Sequence, residues 1–569
     1  MEMPPLSQCK SRAPKSFLLW MRIDVKSLLA GMLLMGSLLV LQQSLANLTI
    51  GKQPPSVTYS SHSNGNLISP LHSTIPTCHN ALPRNESNRS PEDVKHDNKD
   101  SGGVRDEHKL HTETANHDEL ISDRDDDRDR VENGLAIKKG SFDAHGHALA
   151  LFVHMASYRG GPDSFAVIGL GAKPAHVYGN AGFECEWVPA KNANNSRSKP
   201  VKGAIRKFLP DWNMGRQYTA VVVNCSFEEP VGVDREGGKL VIYATYGKGS
   251  GMPDTTPERF VALTEKMNEY DANKFLAPYP YDYVYCGSPL YGKLNVQRVR
   301  EWMAYHVKVF GKRRAHFFLY DAGGITEDVA RALRPWQKQG CVTVQDIREQ
   351  ESYDGYYHNQ FLVVNDCLHR ARFLSNWTFF FDVDEYLWLP PQESLEAVMQ
   401  GFSNYTQVIF RQKPMAPHIC QAHQHDISRK WGLEKLVYRN VKAGKVWDRK
   451  YAIQPRNAFT TGVHRSDHIV GNDIVRQSLG YFPESLVPKL WYYHFHSTIT
   501  QSGELCHTFA TADGAKPLNA SWATMALEPA DFYDEEGTPF RVDTGLAELA
   551  QSVKDFELAQ IGTQPVILE

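Results

Sequence analysis

Apolar positions divide the 569-residue chain into stretches of different period. Residues 27–41 form an uncharged apolar run, and adding 42–46 brings it to roughly the 20 residues that cross a bilayer. Residues 47–140 are polar, rich in Ser, Asn, His and Asp, with an alternating acid and base run at 123–130. Such a stretch cannot bury enough surface to fold and predicts a disordered stem. From His147 the pattern becomes period two. Residues 148–153, 165–170, 218–223 and 239–244 predict strands, separated by clusters of Gly, Pro, Asn and Asp with no amphipathic helix between them. The expected unit is a small antiparallel β-sandwich over 141–250, followed by a helix-like pattern over 255–277.

Past Pro280, strands and helices alternate. Strands are predicted at 281–286, 316–321 and 341–345, and helices at 296–310, 328–339 and 357–373. In the first helix Val299, Trp302, Met303, His306, Val307 and Phe310 fall near one face. This alternation predicts a largely parallel α/β sheet over 275–530, with ligands beyond the C-terminal ends of its strands. Further strands are expected at 406–411 and 447–455, and a docking helix at 546–558 in a C-terminal tail, 531–569.

The stretch 377–390 carries the chemistry: three consecutive Phe run into Asp382, Asp384 and Glu385. A run this apolar predicts a strand buried on both faces, and strand alternation then puts Asp382 and Asp384 on one face. Two carboxylates side by side repel unless something positive lies between them, and a divalent cation is the simplest candidate. That arrangement suits a nucleotide-diphosphate-sugar site, where a metal offsets the charge on the departing diphosphate. Asp125-Asp126-Asp127 has the same spacing but no strand before it.

The net charge of −3 gives no electrostatic case for nucleic acid. Lys10, Arg12, Lys15, Arg22 and Lys26 precede the apolar run and only Lys52 closely follows it. The charge bias therefore predicts a type II anchor, with a cytosolic tail (1–22), a membrane span (23–46) and the rest in a lumen. A signal peptide cut near Ala46 is the rival reading. Sequons at Asn47, Asn85, Asn88, Asn194, Asn224, Asn376, Asn404 and Asn519 agree with a luminal location. So does an even set of eight cysteines beyond Cys9, enough for up to four disulfides.

His464, His494 and His496 are candidate metal or phosphate partners, and Arg449 and Lys450 could neutralise a diphosphate. Glu385, Asp467 and Asp473 are carboxylates available as a general base. Tyr178, Trp187 and Trp212 could stack on a sugar or belong to a core. Cys420, His423 and His425 lack the second pair a zinc site needs.

The segments Cys286-Gly287-Ser288-Pro289-Leu290-Tyr291-Gly292, Phe318-Leu319-Tyr320-Asp321, Asn365-Asp366-Cys367-Leu368 and Phe381-Asp382-Val383-Asp384-Glu385-Tyr386, with the late His-rich strand, together resemble glycosyltransferase family 92. The likeness spans about 281–507, and the 449–464 block and the β-rich region before Tyr281 resemble its plant β-1,4-galactan synthases. The resemblance implies a GT-A catalytic domain in the Golgi membrane, using UDP-galactose and Mn²⁺ to extend β-1,4-galactan on pectic rhamnogalacturonan I. It implies that the β-sandwich is a carbohydrate-binding module, with Trp187 and Trp212 as its candidate sugar contacts. Asp382 and Asp384 inherit the metal, and His494 matches the family's late His. Asp321 matches a position near the nucleotide, with Arg449, Lys450, His464 and His496 as its other candidate contacts. Where members often carry His-Tyr-Arg, this chain has His494-Phe495-His496. An α-linked donor and a β-linked product imply inversion, with Glu385 and Asp473 as candidate bases. A second copy of the chain is a candidate partner. A membrane-tethered lectin without catalysis, and a metal-dependent phosphotransferase or hydrolase, are the competing classes.

Overall fold

The computed structural model describes residues 130–562 apart from 133, 147–149, 174–180, 191–198, 213, 247–255, 312–314, 354, 422–429, 443–447, 471–489 and 511–525. The expected cytosolic tail, membrane span and most of the stem, with Asp473, His423, His425 and Tyr178, lie outside the described residues. Among the described residues no helix is long and apolar enough to cross a membrane.

The expectation of a structureless stem up to 140 is corrected at its end. β1 (Arg130–Glu132) and β2 (Leu135–Lys139) form an antiparallel pair, and β2 joins the main sheet. Leu135 and Ile137 are buried, so two well-placed apolar side chains suffice to dock an otherwise polar segment.

Eight strands follow: β3 (Asp143–His145), β4 (Phe152–Arg159), β5 (Ser164–Ala172), β6 (Gly182–Pro189), β7 (Val201–Phe208), β8 (Tyr218–Ser226), β9 (Gly238–Thr245) and β10 (Glu258–Glu265). They form one antiparallel sheet in the order β10-β9-β6-β7-β8-β5-β4-β3. The sheet curls, so that Phe152, Val167 and Val223 share a core with Trp187, Leu240 and Phe260. A Cys185–Cys225 disulfide ties β6 to β8. The unit ends at Glu265 rather than at 250, and β10 replaces the helix expected over 255–277. In β10 the inward residues are Phe260 and Ala262, a period of two that a short apolar run does not distinguish from a helix.

The second unit is a ten-stranded mixed sheet built on β11 (Tyr281–Leu290), β12 (Ala315–Asp321), β13 (Val342–Asp346), β14 (Ser375–Phe380), β15 (Glu385–Trp388), β16 (Gln407–Pro414), β17 (Arg449–Ile453) and β18 (Trp491–His494). Its order is β1-β2-β13-β12-β11-β14-β17-β16-β18-β15. From β2 to β14 neighbours run parallel; β17 is antiparallel to β14 and β16, and β15 closes the edge antiparallel to β18. Helices α1 (Val296–Val309), α2 (Glu327–Lys338) and α3 (Gln360–Ala371) match the sequence expectation within a few residues. Asn295 and Thr326 cap α1 and α2 through their side chains.

The three Phe of the acidic stretch now have a physical account. Phe379 and Phe381 join the core on the α1 face, with Tyr285 and Phe317. Phe380 joins the α3 face and stacks on Tyr451 at 4.9 Å. The antiparallel unit packs on that α3 face: Ile168, Leu170 and Val222 share a core with Leu362, Val364 and Leu368. β5 and β8 are thus buried on both sides, which explains their unbroken apolar runs. The family-like segment Asn365-Asp366-Cys367 is structural. Asn365 brackets Thr461 with two hydrogen bonds, and Asp366 accepts Tyr158 Oη from β4 and Tyr320 Oη from β12, both at 2.6 Å. Cys367 bonds Cys286.

The tail beyond 530 is no separate appendage. Pro539–Val542 pairs with Tyr438–Asn440 on one side and with Phe532–Tyr533 on the other, and helix α4 (Ala550–Ile561) is fixed to α1 by a bidentate Arg300–Glu557 pair at 2.8 Å. Cys420 is bonded to Cys506, which removes it as a zinc ligand, and Cys341 is also disulfide-bonded.

Candidate active site

Strand β14 ends at Phe380, earlier than the sequence predicts. Asp382 to Glu385 is a turn closed by Glu385 N–H donating to Asp382 O at 3.1 Å, after which β15 begins. Strand alternation therefore does not set Asp382 and Asp384; the turn does. Glu385 folds back, and its Oε2 accepts the Asp382 N–H at 2.7 Å. The close approach of β11 helps place it. Tyr285 Oη donates to Phe381 O at 2.8 Å, and a Cβ on Gly287 would collide with that hydroxyl.

The turn's outer edge is held by α1. β15 is an edge strand, so its backbone needs partners that no neighbouring strand supplies. Trp302 Nε1 donates to Glu385 O at 2.9 Å, Tyr305 Oη donates to Leu387 O at 2.7 Å, and Leu387 N–H donates to His306 Nε2 at 3.2 Å.

On the inner side, six of the predicted residues come together. Asp382 Oδ2 accepts Lys450 Nζ at 2.6 Å, and Asp382 Oδ1 accepts Ser288 Oγ and, at 3.4 Å, Gln360 Nε2. Lys450, 2% exposed, also lies 3.3 Å from Glu385. Asp384 Oδ1 faces His494 Nε2 at 3.6 Å, while its Oδ2 accepts the Ser497 N–H at 3.1 Å. His494 and His496 have ring centroids 3.6 Å apart. His464 adjoins: its Nδ1 donates to Arg449 O at 2.9 Å, and Lys450 and Asp382 both act on its charge.

These groups are electrostatically unbalanced. Burial pushes the Glu385 carboxyl up to about 7, opposed by Lys450 and reinforced by Asp382. Burial also disfavours charge on Asp384, yet His494 and Lys450 together hold its carboxyl below the usual range. For His494 burial works downward, but Glu385 and Asp384 raise it above an ordinary imidazole. His494 Nδ1 donates to Gln412 Oε1 at 2.8 Å, because an amide oxygen can only accept. In the neutral ring Nε2 is then a lone pair pointed at a carboxylate oxygen. A cation or a proton must reconcile the two acceptors.

The donor set fits a divalent cation in part. A 3.6 Å separation suits a nitrogen and an oxygen that each lie about 2.1 Å from one ion. The carboxylate of Asp382 is turned instead to Lys450 and Ser288. Among the described residues no three His, Cys, Asp or Glu groups form a ready-made metal cage.

Other candidates fall elsewhere. Asp321, at the end of β12, organises its own loop: Oδ1 accepts Gly323 N–H at 2.9 Å and Ile325 N–H at 3.1 Å, and Arg348 lies 3.9 Å away. Arg449 contributes its carbonyl to His464. Asp467 pairs with Arg465 at 2.8 Å. Glu385 is fully buried, so it fixes the turn and Lys450 and presents no oxygen to an acceptor hydroxyl. Trp187, 1% exposed, stacks on Phe165 and so has no free face for a sugar; this corrects its sugar-binding expectation. Trp212 is 56% exposed.

Sequence reasoning missed Ser288, Gln360, Gln412 and Ser497. Gln412 had a signal: a polar amide inside a strand, where burial requires a partner. Gln360 had none, since only the fold brings the start of α3 to Asp382.

The chain belongs to glycosyltransferase family 92, whose profile matches residues 281–530. It is 44% identical over 426 residues to galactan beta-1,4-galactosyltransferase GALS1 of Arabidopsis thaliana, covering 75% of this chain and 79% of that protein. It is 43% identical over 442 residues to galactan beta-1,4-galactosyltransferase GALS3 of the same plant, covering 76% and 80%.

Proposed function

We propose that this protein transfers galactose from UDP-galactose onto β-1,4-galactan chains of pectic rhamnogalacturonan I, with inversion at the anomeric carbon. The observation that carries the reading is the convergence of Asp382, Asp384, Lys450 and His494 beyond the β14 strand end, in a chain whose relatives are named galactan beta-1,4-galactosyltransferases. Ligands of α/β sheets gather at such strand ends.

Asp384 and His494 would hold Mn²⁺, with Asp382 beside them, and a bound divalent ion offsets negative charge on the diphosphate. Lys450 ion-pairs with both Asp382 and Glu385, opposes the burial that favours the protonated Glu385 carboxyl, and lends positive charge to the site. Ser288 and Gln360 orient Asp382, and Gln412 fixes the His494 tautomer so that Nε2 faces Asp384. We further read the mixed sheet as a GT-A domain, the curled antiparallel sheet as a β-sandwich module, and the chain as a type II protein of the Golgi membrane.

The test is UDP release and product sizing with UDP-galactose, Mn²⁺ and galactan oligomers, alongside other UDP-sugars. Elongated β-1,4-galactan supports the reading. Turnover only with another sugar or acceptor would reassign the substrate, and glycan binding without turnover would make the protein a lectin.

A further inference from the structure

Two exposed aromatic rings, one from each unit, contact the same buried ring, Phe361. Trp212, from the antiparallel unit, is 56% exposed and adopts a left-handed φ of 51°, a conformation that costs energy for a bulky residue. Its loop is anchored by buried Asp211, which accepts Thr219 Oγ1 and, at 3.0 Å, the Ala220 N–H. The indole sits edge-on to Phe361 of α3 at 5.9 Å. Tyr356, 43% exposed, also lies 5.9 Å from Phe361.

The segment after Tyr356 is strained too. Tyr357, His358 and Asn359 have successive φ values of 47°, 53° and 56°. Asn359 Nδ2 holds that turn by donating to Gln350 Oε1 at 2.8 Å and Tyr353 O at 3.1 Å. Backbone strain persists only where surroundings over-determine it, and here it holds large rings out in water instead of burying them. The next residue is Gln360, which donates to Ser288 Oγ at 2.7 Å and to Asp382. The aromatic ridge is therefore continuous with the candidate active site. Its two halves are tied by the hydrogen bond of Tyr158 to Asp366, a carboxylate that Tyr320 holds from within the mixed-sheet unit.

We propose that Trp212 and Tyr356, both in contact with Phe361, form a composite stacking platform for the galactan acceptor, engaging sugar units remote from the reacting end. The proposal rests on the galactan reading given above. A polymeric acceptor must continue past the site, and pyranose rings present apolar faces that suit flat, exposed aromatic rings with a wet rim. The platform belongs to neither unit alone, so the antiparallel unit acts as part of the acceptor groove and not as a detached module.

The test uses the full-length protein in detergent, with galactobiose and galactohexaose as acceptors. Trp212→Ala and Tyr356→Ala should each raise the KM for galactohexaose roughly three- to tenfold, with a smaller change for galactobiose. The KM for UDP-galactose should stay where it is. Trp212→Phe and Tyr356→Phe should restore most of the loss, which also separates stacking from folding. An unchanged KM for galactohexaose, an equal loss on both acceptors, or a loss on UDP-galactose would overturn the platform. If the unsubstituted protein transfers no galactose, the functional reading fails instead.

Discussion

The α1 side and the turn side of β15 treat their histidines in opposite ways. His306, on the α1 side, is saturated: Nδ1 donates to Trp302 O at 2.8 Å and Nε2 accepts the Leu387 N–H. Burial then drives its pKa down to about 3. His494, on the turn side, has one nitrogen satisfied and the other aimed at a carboxylate, and its pKa moves up. Both rings are buried, so burial does not distinguish them. The difference is whether the local groups complete each other. Where they do, the histidine is architecture; where they do not, the site needs something from outside.

The comparison breaks most visibly if the turn side proves indifferent to its acids. Asp384→Ala should lower transfer by about 100-fold or more, a typical cost of losing a group that meets developing charge. The measurement is UDP release beside a thermal melt. Retained activity, or full activity in the wild type after exhaustive EDTA treatment, would place the chemistry elsewhere. Lys450→Met comes next. It leaves the buried Glu385 and the partly exposed Asp382 without their cation, and breaking a buried pair such as Lys450–Glu385 costs about 3 kcal/mol. A denaturant titration should show that loss together with reduced transfer.

The sequence made some of this legible. The alternation of strands and helices after Tyr281 was plain because each helix carries a clear apolar face and each strand a dense run of Phe, Tyr and Val. Asp382 and Asp384 stand out in the sequence by strand alternation, but they belong to a turn, and a backbone bond between Asp382 and Glu385 sets them. The sequence of the 449–450 pair suggests a diphosphate contact, whereas Lys450 is spent first on Asp382 and Glu385. Nothing local to Lys450 tells which acids it meets, since 68 residues of chain separate it from Asp382. The helix expected over 255–277 failed because eight residues with mixed apolar spacing satisfy either period, and sheet pairing with β9 decides it.

The α1 side sharpens the comparison through pH. The folded pKa of His306, about 3, lies below its unfolded value near 6.5, so the unfolded state binds the extra proton between them. Stability from this residue is complete above pH 6.5 and is lost as the pH falls toward 3. At pH 5 the loss is about 2 kcal/mol. His306→Gln, whose amide can donate to Trp302 O and accept from Leu387 N–H, should flatten this acid limb by one proton. An unaltered slope would mean that another buried histidine carries it.

The smallest effect tests the claim that α1 completes the edge of the sheet. Tyr305→Phe removes the hydroxyl that donates to Leu387 O and leaves the ring in place. A net hydrogen bond of this kind is worth about 1 kcal/mol, and a buried carbonyl left unmet adds to that. Stability should fall by roughly that amount, while KM for UDP-galactose stays constant, because Leu387 lies two residues beyond the turn. If instead catalysis drops and stability does not, β15 is mobile at its edge, and α1 tunes the active-site turn directly rather than only closing the sheet behind it.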